Sequence, residues 1–208
     1  MKRILFTALI LSLISLSARA QYIGIKGGLN LSNLNIDEVD DENMRTGYHF
    51  GAYINLPISD GFAIQPEVLY STKGSEADYN QDLGILGEFN STTTFKLDYI
   101  DVPILAVFKL GDAIEIHAGP YFGFLANSKI EVDGDFDGED ELDSDNFKNL
   151  DYGLTGGLAV NFAAIQVGAR YNYGLQEIQD SEAAELFLGD AKNSYFQVFA
   201  ALRLGNYD

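Results

Sequence analysis

The sequence predicts an all-β fold, an eight-stranded antiparallel up-and-down transmembrane β-barrel, and three observations carry that reading. Apolar residues fall on every second position in runs close to the 9–11 residues that a tilted strand needs to cross a bilayer. Eight such runs can be marked out, an even number. The connections between them alternate long and short, the asymmetry of a barrel with tight turns on one side of a membrane and extended loops on the other.

The 208-residue chain opens with Lys2 and Arg3, an apolar run over 4–16, and Ala18-Arg19-Ala20. These are the three parts of a secretory signal peptide with an A-x-A cleavage site. Residues 1–20 are therefore read as a leader and 21–208 as one barrel domain. No run reaches the roughly 20 apolar residues of a spanning helix, so any passage through a membrane must use strands. The absence of cysteine excludes a lipidated N-terminal Cys, disulfides and thiolate metal sites. A formal charge of -18, from 13 basic and 31 acidic residues, argues against nucleic acid as a partner, because phosphate binding needs clustered Lys and Arg. Trp is absent, which leaves 12 Tyr and 14 Phe to supply interfacial aromatics.

Taken in order, residues 22–32 place Ile23, Ile25, Gly27, Leu29 and Leu31 on one face and Lys26, Gly28, Asn30 and Ser32 on the other. Residues 33–45 are charged and without period, a long loop. The second strand, 46–56, sends Tyr48, Phe50, Ala52, Ile54 and Leu56 outward against His49, Gly51, Tyr53 and Asn55, and PISDG at 57–61 makes a tight turn. The third alternates Phe62, Ile64, Pro66, Val68 and Tyr70 with Gln65, Glu67, Leu69, Ser71 and Lys73, and Pro66 removes one ladder donor. A second long loop is expected over 74–93.

The fourth and fifth strands make the clearest hairpin. Ile100, Val102, Ile104, Ala106, Phe108 and Leu110 share a face, Gly111-Asp112 turns the chain, and Ile114, Ile116, Ala118, Pro120, Phe122 and Phe124 resume the alternation. Residues 131–145, EVDGDFDGEDELDSD, read as a third, acidic loop. The sixth strand, 150–162, points Tyr152, Leu154, Leu158, Val160 and Phe162 outward against Asp151, Gly153, Thr155, Gly157 and Asn161, then turns at Ala163-Ala164. The seventh carries Ile165, Val167, Ala169, Tyr171, Tyr173 and Leu175 against Gln166, Gly168, Arg170, Asn172 and Gln176. A fourth long loop follows over 177–192, with a short helical turn expected at 182–188. The eighth strand, 194–204, closes the set with Gln197, Phe199, Ala201 and Arg203 inward. Eight strands enclose a lumen that side chains can fill, so no open pore is expected.

Chemistry concentrates on the inward face, onto which Lys26, Glu67, Lys73, Asp101, Lys109, Glu115, His117, Arg170 and Arg203 alternate. Buried charges must pair, so a lumen network is expected, with Arg170 or Arg203 bound to Glu67, Asp101 or Glu115. His49 and His117 lack the neighbours of a catalytic triad or a metal site. Only His49, near the outer end of its strand, is placed for an enzyme site at the external rim. Asp133, Asp135, Asp137 and Gly138 copy the first half of a calcium loop, but Ser144 stands where a bidentate Glu belongs. A solvated acidic loop is the expectation there, and weak divalent-ion binding the alternative. Gly27-Gly28 and Gly156-Gly157 lie within strands and read as close-packing or bending positions rather than phosphate cradles, and no cofactor is expected.

Several segments resemble the PorT-like small outer-membrane β-barrel proteins: IGIKGGLNLS, PEVLYSTKG, YIDVPILAVFKL, HAGPYFGFLANSK, and DYGLTGGLAVNF with the following GARYNYGLQEI. The resemblance covers essentially the whole mature chain and implies an outer-membrane location. Through PorT itself it implies a place in a protein-secretion and gliding apparatus. None of these segments is a catalytic motif. The C-terminus departs from the pattern, since Gly205-Asn206-Tyr207-Asp208 follows the last strand where such barrels often finish on an aromatic.

The expected function is that of a non-enzymatic outer-membrane barrel with a structural or interaction role. It would display acidic external loops, contact outer-membrane lipid, and meet an extracellular or envelope protein partner as a subunit of an envelope or secretion assembly. One alternative is a narrow solute or ion pathway. Another is a soluble, lipocalin-like periplasmic barrel, which would turn the apolar face inward around a ligand.

Overall fold

The structure, a computed structural model, describes residues 22–35, 45–82, 88–134, 138–141, 149–177 and 192–205. The period-two segments become nine strands among these residues: β1 (Tyr22–Asn35), β2 (Arg45–Ser59), β3 (Phe62–Asp82), β4 (Glu88–Leu110), β5 (Ile114–Gly134), β6 (Gly138–Glu141), β7 (Leu150–Phe162), β8 (Ile165–Glu177) and β9 (Lys192–Gly205). The leader expected at 1–20 and the helical turn expected at 182–188 lie outside the described residues. No helix among the described residues is long and apolar enough to cross a membrane.

Neighbours in sequence pair antiparallel from β1 to β5; β5 then pairs with β7, β7 with β8, and β8 with β9. β9 returns to β1 over fourteen register pairs, from Tyr22↔Gly205 to Asn35↔Lys192, and closes an eight-stranded barrel. Closure removes the free edges that an open sheet would carry through lipid. β6 is additional to the barrel and lies against the outer part of β5. The turns at 60–61, 111–113 and 163–164 fall at the same end as Tyr22 and Gly205.

Side chains alternate across this wall. The outward row is apolar and exposed along every barrel strand, including Ile25, Phe50, Ile104, Phe122, Leu158, Val167 and Val198. The inward row is buried and largely polar. This orientation removes the lipocalin-like reading, in which the apolar row would line a ligand cavity. At the turn end the lumen is closed by apolar contacts of Ala63, Leu105 and Val107 and by Tyr22, Tyr53 and Ala201. Inward glycines give way to large neighbours: a Cβ on Gly168 would lie 2.5 Å from Cζ of Phe199. Pro66 has no N–H for the ladder, and the β2–β3 pairing is interrupted beside it, between Tyr53↔Glu67 and Leu56↔Ile64, with the register unchanged across the gap.

Two of the expected loops are partly strand. β3 and β4 stay paired far beyond the apolar band, from Gly74↔Lys96 to Asp82↔Glu88, where a loop over 74–93 was predicted. The acidic segment predicted as a loop from 131 likewise continues β5 to Gly134 and turns back as β6. Lipid no longer demands an apolar face at that height, so the alternation that marks a strand in sequence fades while the backbone ladder continues.

Candidate functional site

The barrel interior is the chemically dense region, and its centre is Glu67 on β3. Its carboxylate accepts two parallel hydrogen bonds from the Arg170 guanidinium on β8, each 2.9 Å. Lys26 on β1 donates to the same two oxygens at 2.9 and 2.8 Å, and Gln65 donates to Oε1 at 2.9 Å. Glu67 and Arg170 are each 1 % exposed, so the triad of two cations and one carboxylate is fully withdrawn from solvent. Such a cluster is tolerable only because each carboxylate lone pair finds a donor. Phe199 completes the cluster, with the Lys26 ammonium 4.2 Å and the Arg170 guanidinium 4.8 Å from its ring centroid.

His117 connects this centre to the turn end. Its Nδ1 accepts from Arg170 Nη2 at 2.7 Å, and its Nε2 donates to Glu115 at 3.1 Å, which fixes the neutral tautomer with the proton on Nε2. Glu115 also accepts from Asn161 and Gln166 at 2.9 and 2.8 Å. Arg203 lies at the barrel end, where it donates to the Ala163 carbonyl and sits 5.4 Å over the Tyr22 ring. Lys109 is cross-strand from Glu115, beside the 111–113 turn.

Towards the long connections a second ion cluster forms around Lys73. Its ammonium donates to Asp101 at 2.9 Å and to Asp151 at 3.3 Å, inside a cage of Tyr99, Tyr121 and Tyr195 with ring centroids 4.5, 5.0 and 4.5 Å away. Tyr195 donates to Asp101 and Asn193 to Asp151. Asp101 therefore belongs with Lys73, and neither arginine is its partner in this cluster. Asp151 and the three tyrosines were not singled out from the sequence; their inward parity was the available signal, and the register that gathers them was not.

Between the two clusters Asn30 accepts from His49 Nδ1 at 2.8 Å and from Gln197 at 3.1 Å, and donates to Ser71 at 2.9 Å. His49 is buried within the wall, which corrects its placement at an external rim and removes the geometry of a rim enzyme built on it. Of the calcium-loop residues, Asp133 pairs through its backbone with Thr92 near the end of β5, and Asp135 and Asp137 lie outside the described residues. Among the described residues no three His, Cys, Asp or Glu side chains gather as a metal site.

A family model described as an outer membrane protein beta-barrel domain matches residues 17–180. No curated protein matches the chain. Solved structures similar to it include Ail, the attachment invasion locus protein of Yersinia pestis, at 15% identity, covering 88% of this chain and 98% of that one with a TM-score of 0.48. Neisserial surface protein A is 14% identical, covers 88% and 97%, and has a TM-score of 0.48. OprG from Pseudomonas aeruginosa is 13% identical, covers 90% and 98%, and has a TM-score of 0.33.

Proposed function

The chain belongs to the outer membrane protein beta-barrel domain family and resides in a bacterial outer membrane, and from that premise we propose that it is a non-enzymatic barrel with a closed lumen whose role is structural or interactional. One observation carries the reading. The lumen is crossed by the Lys26–Glu67–Arg170 and Lys73–Asp101–Asp151 clusters, whose buried side chains pair with one another and occupy the interior of an eight-stranded barrel. The long, acidic connections are then the parts that meet other molecules from outside the cell, and the short turns face the periplasm. Outward tyrosines support this polarity: Tyr48, Tyr70, Tyr152, Tyr171 and Tyr173 lie towards the long-connection end, where headgroups meet their hydroxyls, and Phe62, Phe108 and Phe162 lie at the turn end.

Planar-bilayer recording of the refolded protein tests the closed lumen: a baseline without steps is expected, and reproducible unitary steps would establish a solute pathway instead. The finer reading, rooted in the PorT-like segments, is membership of an envelope or secretion assembly. Chemical crosslinking in intact cells followed by purification through this chain is expected to bring down a stoichiometric envelope partner. Recovery of the barrel alone at every crosslinker length would end that finer reading.

A further inference from the structure

The cluster around Lys73 is built differently from the triad around Glu67. Rings from three strands, Tyr99 on β4, Tyr121 on β5 and Tyr195 on β9, stand with their centroids 4.5, 5.0 and 4.5 Å from the Lys73 ammonium. Aspartates from two strands, Asp101 on β4 and Asp151 on β7, each accept one of its protons. All six residues are at most 2 % exposed. Ring faces and carboxylates gathered around one point, with water excluded, make a site for an organic cation, because the ring quadrupoles and the anions favour positive charge together.

The walls of this cage stand on bonds that do not pass through Lys73. Tyr195 donates to Asp101 Oδ2 at 3.2 Å, Asn193 to Asp151 Oδ2 at 3.0 Å, and the Tyr121 hydroxyl to the same oxygen at 3.4 Å. Two carboxylates face one ammonium here, the reverse of Glu67 with its two cations, so the cage keeps an excess of negative charge. The strand that carries Lys73 is held to its neighbours by side chains on either side of it. The Tyr48 N–H donates to the Thr72 hydroxyl at 2.9 Å, Asn30 to the Thr72 carbonyl at 3.0 Å, and Ser32 to the Gly74 carbonyl at 2.9 Å. Gly74 itself has a φ of 136°, a backbone state that favours glycine. The occupant is therefore mounted on β3, and the receptor on β4, β5, β7 and β9.

We propose that this cage is a binding site for a primary alkylammonium group, that Lys73 is its tethered occupant, and that a small primary amine from outside the cell competes with Lys73 for it. The two aspartates require N–H donors, which selects a primary ammonium over a quaternary one, and the three rings cover the remainder of the cation. Displacing Lys73 cuts the tie from β3 to Asp101 on β4 and Asp151 on β7, so amine binding and loosening of this end of the lumen are one event. This goes beyond the structural or interactional role proposed above by giving the interior a ligand class of its own.

Lys73→Ala removes Cγ, Cδ, Cε and Nζ, the heavy atoms of n-propylammonium, which is the probe. The variant and the parent are refolded into lipid vesicles over a series of n-propylammonium chloride concentrations, with sodium chloride holding the ionic strength constant, and the urea midpoint of heat-modifiable mobility is read at each. The Lys73→Ala midpoint is expected to rise and saturate, and the parent to need at least about a hundredfold more amine, because its own ammonium is already in place. Tetramethylammonium, which has no N–H, is expected to act on Lys73→Ala only at about tenfold higher concentration or above. Where Lys73→Ala folds only with amine present, the concentration restoring half of the folded band is the same measurement. Lys73→Ala/Asp101→Asn/Asp151→Asn leaves no charge in the cage and is expected to fold without amine and not to respond to it. No saturating response or restored band for Lys73→Ala, an equal response of the parent or of the triple variant, or equal potency of tetramethylammonium would each overturn the proposal.

Discussion

Replacing Glu67 with Gln asks how far the lumen clusters hold the barrel together. The wild-type carboxylate takes two bonds from Arg170, two from Lys26 and one from Gln65. The amide keeps the shape and one acceptor, but it loses the charge and aims an NH2 group at the cations. Arg170 and Lys26 are then buried without their counter-ion. Breaking a buried pair from one side costs about 3–5 kcal/mol, and the surviving acceptor places Glu67→Gln near the lower end, at about 3 kcal/mol. Exchanging the whole triad for apolar residues, Lys26→Met with Glu67→Leu and Arg170→Met, strands no charge and is expected to recover most of that loss. Urea titration of the refolded barrel in lipid vesicles, read as the fraction retaining heat-modifiable mobility, measures both variants. A Glu67→Gln barrel within about 1 kcal/mol of the parent, or a triad replacement less stable than the single change, would refute the reasoning.

Three further outcomes follow from single positions. Ala163 holds a left-handed backbone (φ 50°) in the 163–164 turn, so Ala163→Gly is expected to raise stability by about 1 kcal/mol in the same titration; a loss would show that the turn is not strained. A methyl on Gly24 would run into the Tyr53 ring, so Gly24→Ala is expected to cost about 1–3 kcal/mol and to be largely rescued by Tyr53→Val; a cost untouched by the second change would place the clash elsewhere. Leu158 is 57 % exposed near the middle of β7, on the face read as lipid-contacting, so Leu158→Arg is expected to cost about 2–4 kcal/mol in vesicles; a neutral result would mean that this face meets water.

The faces of the barrel are legible in the sequence because lipid outside and packed polar groups inside impose opposite demands at successive residues. Inward parity marks Lys26, Glu67, Asp101, Glu115, His117 and Arg170 without any knowledge of the fold. Which of them meet is not legible, because that depends on the stagger of strands that are distant in sequence. Arg170 and Arg203 share inward parity, yet Arg170 stands at the height of Glu67 while Arg203 lies beside the 163–164 turn. Asp101 is parity-equivalent to Glu67, but its level belongs to Lys73 and the tyrosine cage. The extensions of β3, β4 and β5 are hidden for a related reason. Lipid demands no apolar face beyond the bilayer, so residues 75–82 read as loop although their backbone keeps the register of the wall below.

The lumen clusters do something that the ladder cannot. Every ladder bond joins adjacent strands, and a slip of one hairpin by two residues would preserve both the inward and outward faces and most of the backbone pairing. The Glu67–Arg170 contact runs from β3 to β8, Lys73–Asp151 from β3 to β7, and Tyr195–Asp101 from β9 to β4, so each crosses the lumen between strands that do not pair. A two-residue slip moves a charge by about 7 Å along its strand, far beyond hydrogen-bond reach, and leaves both former partners buried and unpaired. An apolar core would tolerate such a slip by repacking. Charged cross-lumen pairs penalise it, which assigns them the work of selecting one stagger at the moment the barrel closes. That role separates register from stability in the triad replacement: the barrel lacking Lys26, Glu67 and Arg170 charges is expected to remain stable yet to fold to more than one mobility on unboiled gels, and a single sharp band would show that the ladder and the remaining Lys73 and Tyr195 contacts suffice to choose the register.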